Sequence, residues 1–561
     1  MHTSDLPLRD RLLMRWSALK SERASWMAHW QEISNVTLPR SGRYTAQDRN
    51  KGTKRHNTIY DNTSIRALRI LGAGMMSGAT SPARPWFRLR TADRNLRGSA
   101  AVKVWMADAT QLILDVFAAS NTYRALHTLY QELGAFGTAA AIVLEDYENV
   151  IHLTPMTVGE YALATDFKGN VDTLYREFQK TVGDIVEEFG YDNCSIATQA
   201  MYDSRSYDTW VTLLHAIEPR SMRDYDKADA RNMKFRSCYL EVGQTDNKLL
   251  RESGYRSFRV LAPRWDVTGG DIYGSSPGME ALGDIKQLQH QQLRKAECID
   301  YQTRPPLQAP VSYKNQDIRM VPGGVAYVDA TSPAGGIRTA FEVNLNLQHL
   351  AEDMAEVRNR INAAFYADLF LMLANDTRSG VTATEIAERH EEKMLMIGPT
   401  LERLHNELLQ PLVHLTFERL AEVGALPSAP PELKGREIEV EFTSLLAQAQ
   451  RAVATAGIDK FVGNLGGIAR FKPEVLDKFD SDAWADEYSE MLGVDPRLVV
   501  PTEVVLSQRQ QRAQAQMQAQ QAQATAQMMQ QQAATAKTLG ATPTKGGAST
   551  ALDDVLGAVR G

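Results

Sequence analysis

The residues of this 561-residue chain that could do chemistry are many, but their spacing fits no catalytic template. A P-loop needs GxxxxGK followed by Ser or Thr, so that backbone amides and the ammonium group converge on one phosphate. Gly540 to Gly547, the stretch holding Lys545, lacks that spacing and has Pro543 inside it. Gly72-Ala73-Gly74-Met75-Met76-Ser77-Gly78 is GxGxxxG, which is not the dinucleotide fingerprint. It follows a helical pattern and not a strand, so it reads as a helix end and turn. His390-Glu391-Glu392 opens like the zinc helix of a metalloprotease, but the position for the second histidine is Met394. Gly254-Tyr255-Arg256-Ser257 fails as a nucleophile elbow. Glu187-Glu188 and the run from Asp480 to Asp486 are spaced like solvated helix faces, not like a metal pair. Cys194, Cys238 and Cys298 lie far apart without CxxC spacing, which indicates neither a disulfide framework nor a zinc site. The reading assigns no catalytic residue, no metal ligand and no cofactor, and the expectation is a protein that is not an enzyme.

Composition restricts the setting. A hydrophobic fraction of 43% and a charged fraction of 23% are ordinary for a globular chain, and the length corresponds to about three to four domains. The longest strongly apolar run, Ala363 to Ala374, is interrupted by Asp368 and too short to span a bilayer. Arg9, Asp10, Arg11 and Arg15 break up any signal-type amino terminus. The expected setting is cytoplasm-like, with no membrane. The formal charge of -6 hides an asymmetry: residues 1–105 hold 19 Lys and Arg against 7 Asp and Glu, a net of +12, which leaves -18 for the rest. A positive end suits nucleic acid or an acidic surface on a neighbouring subunit, and it equally fits a solvated face.

The elements that would position any such surface are two long rods. The first opens at Tyr273-Gly274-Ser275-Ser276-Pro277, with Ser276 as the cap and Pro277 at the first helical position. Leu282, Ile285, Leu288, Ala296 and Ile299 recur on one face. Arg304-Pro305-Pro306 ends the rod, since proline lacks an amide donor and bars the preceding residue from helical geometry. The second rod carries Leu347, Leu350, Met354, Val357, Ile361 and Ala364. At 1.5 Å per residue the rods are roughly 35 and 45 Å long. Two narrow-striped rods joined at one end cannot enclose a core. They need other helices, and copies of themselves from neighbouring subunits would serve.

The remaining chain falls into recognisable parts. Residues 6–35 form an amphipathic helix whose tryptophans, Trp16, Trp26 and Trp30, suit docking onto a core. Arg40 to Arg55 holds six basic residues against Asp48 alone and reads as an exposed basic loop. Short strand-like runs fill residues 140–270, a small α+β region with an antiparallel sheet. Phe87 to Arg90 and Ile438 to Phe442 are further strand candidates, and Thr382 with Glu385 makes a capping box. Between Gln508 and Gln532 there are 13 glutamines and no acidic residue, which fits an exposed helix and not a packed core.

An ordered series of local patterns resembles one family. It runs from Glu22-Arg23-Ala24-Ser25-Trp26 through Trp30 to Leu38-Pro39-Arg40, then Gly159-Glu160-Tyr161-Ala162-Leu163-Ala164-Thr165-Asp166 with Gly169. Arg264-Trp265-Asp266, Tyr273 to Pro277, Asp284-Ile285-Lys286-Gln287-Leu288, Arg304-Pro305-Pro306-Leu307 and Thr382-Ala383-Thr384-Glu385-Ile386 continue it. Over residues 5–500 the chain resembles the head-to-tail connecting, or portal, proteins of short-tailed bacteriophages. The resemblance implies a mainly α, α+β subunit with a helical stem hairpin, an α/β wing with a small antiparallel sheet, a clip and a helical crown.

Mapped onto this sequence, the wing would be residues 1–272, the first stem helix 273–300, the clip 301–343 and the second stem helix 344–373. A tunnel loop would follow at 374–381, wing and crown helices at 382–443, the crown at 444–506, and a Gln-rich, barrel-like helix with a flexible tail at 507–561. The resemblance implies a homo-oligomeric ring, typically of twelve subunits, in the virion at one capsid vertex, assembled in the host cytoplasm. Double-stranded DNA would pass through it without sequence preference. Its protein partners would be terminase, a tail adaptor, the major capsid and scaffolding proteins and internal core or ejection proteins. In such a pore, DNA must slide, so phosphate contacts should be weak and distributed. Asn375 and Arg378 are the expected channel residues, with a solvated turn as the alternative for Arg378. Lys314 and Arg319 are the expected clip residues for an acidic partner. The rival functions are a nucleic-acid enzyme, such as a packaging nuclease or ATPase, and an adaptor or scaffold protein without a channel.

Overall fold

The computed structural model describes residues 6–44, 59–93, 96, 99–227, 229–244, 246–304, 306–308, 338–339, 348–375, 397–433, 435–444, 446, 461–468, 471–472, 474–475, 479–492, 499–500, 502–541, 556 and 558–559. In chain order its elements are α1 (Leu8–Val36), α2 (Thr63–Ala79), β1 (Phe87–Thr91), α3 (Ala100–Ala119), α4 (Thr122–Phe136), β2 (Ala140–Asp146), β3 (Val150–Met156), β4 (Tyr161–Thr165) and β5 (Val171–Thr181). There follow α5 (Val182–Phe189), α6 (Ile196–Asp203), β6 (Trp210–Pro219), β7 (Phe235–Glu241), β8 (Arg251–Tyr255), β9 (Val260–Leu261), α7 (Pro277–Glu280) and α8 (Leu282–Thr303). The last are β10 (Leu307–Gln308), β11 (Arg338–Thr339), α9 (Gln348–Ala364), α10 (Ala367–Asn375), α11 (Gln410–Val423), β12 (Ile438–Phe442), α12 (Ser481–Leu492) and α13 (Thr502–Ala541). The class is α+β, mainly α, as expected.

The chain divides into two compact units, Met1–Ala92 with Asp108–Gly463, and Asp93–Ala107 with Asn464–Gly561. In the first unit, β4 to β8 form a five-stranded antiparallel meander in sequence order. Period-two alternation sends Leu214, Ala216, Cys238 and Leu240 to one face, where Leu12, Trp16 and Leu19 of α1 cover them. Val211, Leu213 and Tyr239 point to the other face, under Val182, Ile185 and Phe189 of α5. Thr181 and Ser195 cap α5 and α6, accepting from the amides of Asp184 and Thr198. A second sheet has the order β3-β2-β9, and β1 pairs antiparallel with β12, setting Phe87 opposite Phe442.

Three features differ from the sequence reading. The GxGxxxG stretch holds no turn, because it forms the last two turns of α2, which runs on to Ala79. A Cβ on Gly74 would stand 2.1 Å from the Phe370 ring, so this glycine is where α10 approaches α2. The second stem helix is not one rod over 344–373 either: α9 stops at Ala364, and Tyr366 turns to a φ of +54° before α10 begins. A left-handed conformation costs a bulky side chain roughly 1–2 kcal/mol. The break redirects the chain so that Phe365, Leu369 and Phe370 are all buried, and each such burial contributes about 1.5–3 kcal/mol. Finally, the compact units do not divide at residue 443. β12 is held by β1, and Leu446 is buried against Gly78 of α2, so both belong to the first unit.

In the second unit, α12 and α13 are joined by an Arg509 to Asp482 ion pair at 2.5 Å. The side chains described from Val504 to Lys537 of α13 are almost all exposed, as the glutamine bias implied. Among the described residues no helix is long and apolar enough to cross a membrane.

Candidate functional site

The stem hairpin is built from its root outward. Ser276 accepts from the Met279 amide at 3.0 Å and donates to the Ala135 carbonyl at 2.8 Å, tying the start of the hairpin to the end of α4. α4 ends at Gly137 with φ +73°, where a Cβ would stand 2.1 Å from the Gly274 carbonyl oxygen. Only glycine allows that approach. Tyr273 packs edge-on against Trp30 at 5.1 Å, and its hydroxyl accepts from the Leu163 amide at 3.1 Å. Trp30, fully buried, donates to the Phe136 carbonyl at 3.1 Å. The tryptophan helix, the sheet and the hairpin therefore meet at one aromatic joint.

Along the hairpin, Leu282, Ile285 and Leu288 of α8 are buried together with Met354, Val357 and Ile361 of α9. Arg360 bridges to Asp284 at 3.1 Å across the two helices. Gln289 accepts from the amides of Tyr60 and Asp61 at 2.6 and 2.9 Å and donates to the Asp61 carbonyl at 2.7 Å. Arg358 reaches the Asp61 carboxylate at 2.8 Å. Burial would raise the Asp61 pKa, but the hydrogen bonds from Thr63 and Arg358 outweigh it and hold the carboxyl below its usual range. Beyond Gln289 the stripe loses its cover: Ala296 is exposed and Ile299 is 42% exposed.

Of the four residues assigned from sequence, one lies among the described residues. Asn375 is the last residue of α10, whereas Arg378, Lys314 and Arg319 lie outside the described residues. Of residues 301–343, the end of α8 and the short ladder of β10 with β11 are described.

Sequence reasoning missed three joints near the root. Gln289 sits four residues after Ile285, a polar residue inside the apolar stripe, and that interruption was the available signal. Arg264, buried in a quoted family motif, donates to Glu407 at 2.6 Å and to the Gly169 carbonyl at 2.8 Å. Glu407 lies in a π-helical turn, His405–Leu409, that no periodicity announces. Glu132 is buried in α4 and accepts from the Thr157 hydroxyl at 2.9 Å. Burial pushes its carboxyl up to about 7, against the hydrogen bonds from Ser41 and Thr157. Among the described residues no group of three or more His, Cys, Asp or Glu is placed to hold a metal ion.

A model of the bacteriophage head to tail connecting protein family matches residues 9–500, most of the chain and the whole of the hairpin with its root. The chain belongs to that family. This connector is 60% identical over 553 residues to a probable portal protein of Bordetella phage BPP-1, an alignment covering 99% of each chain. It is 44% identical over 552 residues to the portal protein of Salmonella phage epsilon15, covering 98% of this chain and 99% of that one. A chain from the neck of an empty GTA particle computed with C6 symmetry aligns over 82% of the connector and 97% of its own length, at 12% identity and a TM-score of 0.33. The connector is a portal-class component of the phage virion at the capsid, structural and not catalytic.

Proposed function

We propose that the connector assembles into a ring of twelve subunits at one capsid vertex, with a central channel for double-stranded DNA. DNA passes inward during packaging and outward at infection. Assembly takes place in the host cytoplasm with scaffolding and major capsid proteins. The clip docks terminase and then a tail adaptor, and internal core or ejection proteins meet the crown. The observation that supports this reading best is the near-full-length similarity to two portal proteins, joined to a hairpin that covers only the root half of its own stripe. A head-to-tail interface that closes on itself makes a ring, and it would cover the distal half of each hairpin with the next copy.

Within that reading, Arg378 with Asn375 forms a ring touching phosphate, and Lys314 with Arg319 docks an acidic partner. Electron microscopy of the purified chain tests the ring: particles with a central hole are expected, and monomers that hydrolyse ATP would sink the proposal in favour of a packaging enzyme. An oligomer without a hole would favour an adaptor or scaffold protein. Arg378→Ala is expected to change packaged DNA length or DNA retention, and unchanged values would remove Arg378 from the channel. Terminase capture that persists after both Lys314→Glu and Arg319→Glu would clear those residues of the docking role.

A further inference from the structure

The side of the five-stranded sheet that α5 covers ends in a surface that neither the hairpin nor a channel uses. Three tyrosine rings run across it in line: Tyr191 meets Tyr202 edge-on at 6.0 Å, and Tyr202 meets Tyr207 edge-on at 5.0 Å. The row is fixed from within. Tyr202 packs against the cluster of Val182, Ile185 and Phe189, and the Gly183 amide donates to the Tyr207 carbonyl at 3.0 Å. Its outer side stays in water, with Tyr207 43% and nearby Trp210 47% exposed. Rigid aromatic side chains held half in water are what the centres of protein interfaces are made of.

The rim of this row is acidic. Residues 182–209 hold six Asp and Glu against Arg205 alone. Tyr191 donates to the Asp203 carboxylate at 2.8 Å, and Asp208, next to Tyr207, is exposed with no ion pair among the described residues. Aromatic rings inside an acidic rim suit a segment that offers proline and a cation. Proline packs flat on an aromatic ring and loses little entropy on docking, and a guanidinium is attracted by carboxylates and ring faces alike.

The chain carries such a segment in the open. Between α2 and β1, Pro82-Ala83-Arg84-Pro85 is exposed throughout, and the buried Trp86 and Phe87 that follow hold it to the subunit. Arg84 reaches the Ser77 carbonyl at 3.4 Å and has no ion pair among the described residues.

We infer that Pro82 to Pro85 of one copy seats on the tyrosine row of the next, with the prolines against the rings and Arg84 paired with Asp208. The two surfaces differ, so the contact is head to tail and repeats around a closed assembly. It rests on the ring reading given above and adds a lateral contact built from other elements than the hairpin.

Crosslinking of the full chain tests the contact. Cys194 and Cys238 are buried, so Cys298→Ser supplies the background. With Arg84→Cys and Asp208→Cys together, a short bismaleimide is expected to give a ladder of covalent oligomers, and with either cysteine alone none. Rings seen by electron microscopy without that ladder would overturn the inference, leave the ring reading standing and free the tyrosine row for a different protein of the particle. A chain that stays monomeric and gives no ladder would overturn both, and self-crosslinking of Arg84→Cys alone would replace head-to-tail contact by a two-fold one. Charge reversal is the second measurement. Arg84→Glu and Asp208→Arg are each expected to raise the concentration for half-assembly roughly tenfold, and the double variant to return it to within about threefold of the parent. Losses that simply add would separate the two residues and overturn the pairing.

Discussion

The five-stranded sheet and the stem hairpin face the same problem, an apolar surface that must leave water, and resolve it differently. Each face of the sheet finds its cover inside the chain, α1 on one side and α5 on the other. The hairpin finds cover only near its root: Leu288 is 1% exposed, whereas Ile299, eleven residues further along the same helix, is 42% exposed. The sheet is a finished core, and the hairpin is one only near its root. The difference teaches which parts of the connector set the stability of one subunit and which parts contribute little to it.

Substitutions at the joint between the two regions should give the largest effects. Trp30→Ala is expected to cost the subunit about 4 kcal/mol in chemical denaturation, from lost burial and an orphaned Phe136 carbonyl. A loss below about 1 kcal/mol would mean that the hairpin root is not part of the subunit core. Glu407→Ala leaves the buried Arg264 guanidinium without its carboxylate and is expected to cost about 3 kcal/mol.

Glu132 gives a pH test of the same region. Its folded pKa, pushed up to about 7 by burial, lies above the ordinary glutamate value, so the folded state holds the proton more tightly. Its contribution is fully present below about pH 4.5 and is lost as pH rises through 7, up to about 3 kcal/mol in all. Glu132→Gln should flatten that part of the stability profile, and an unchanged slope between pH 4.5 and 7 would move the titrating group elsewhere. The smallest effect on a single subunit is expected at the bare end. Ile299→Ala should change subunit stability by no more than about 0.5 kcal/mol while reducing the oligomer fraction in sedimentation. Equal losses from Ile299→Ala and Trp30→Ala would erase the contrast between finished core and bare end.

Much of this organisation was legible beforehand. Ser276 with Pro277 announced the hairpin start, and short strand-like runs marked an antiparallel sheet within residues 140–270. The glutamine run announced an exposed helix, and α13 is one. The hidden features share a cause, which is that each depends on contact between residues far apart in the chain. Nothing local separates a glycine that ends a helix from Gly74, which admits Phe370 from nearly three hundred residues away. Nor does any local pattern distinguish the apolar run through Phe365 and Phe370 from a continuous helix, although the chain breaks at Tyr366.

By itself the sequence determined the class of each element, the caps and breakers that bound them, the absence of a catalytic template and the family, because these rest on backbone geometry and on patterns within a few residues. Tertiary structure alone decided that α2 continues through its glycines, that Tyr366 splits the second rod and that Arg264 meets Glu407. Those outcomes are settled by which surfaces exclude water from one another, and a linear pattern does not record that.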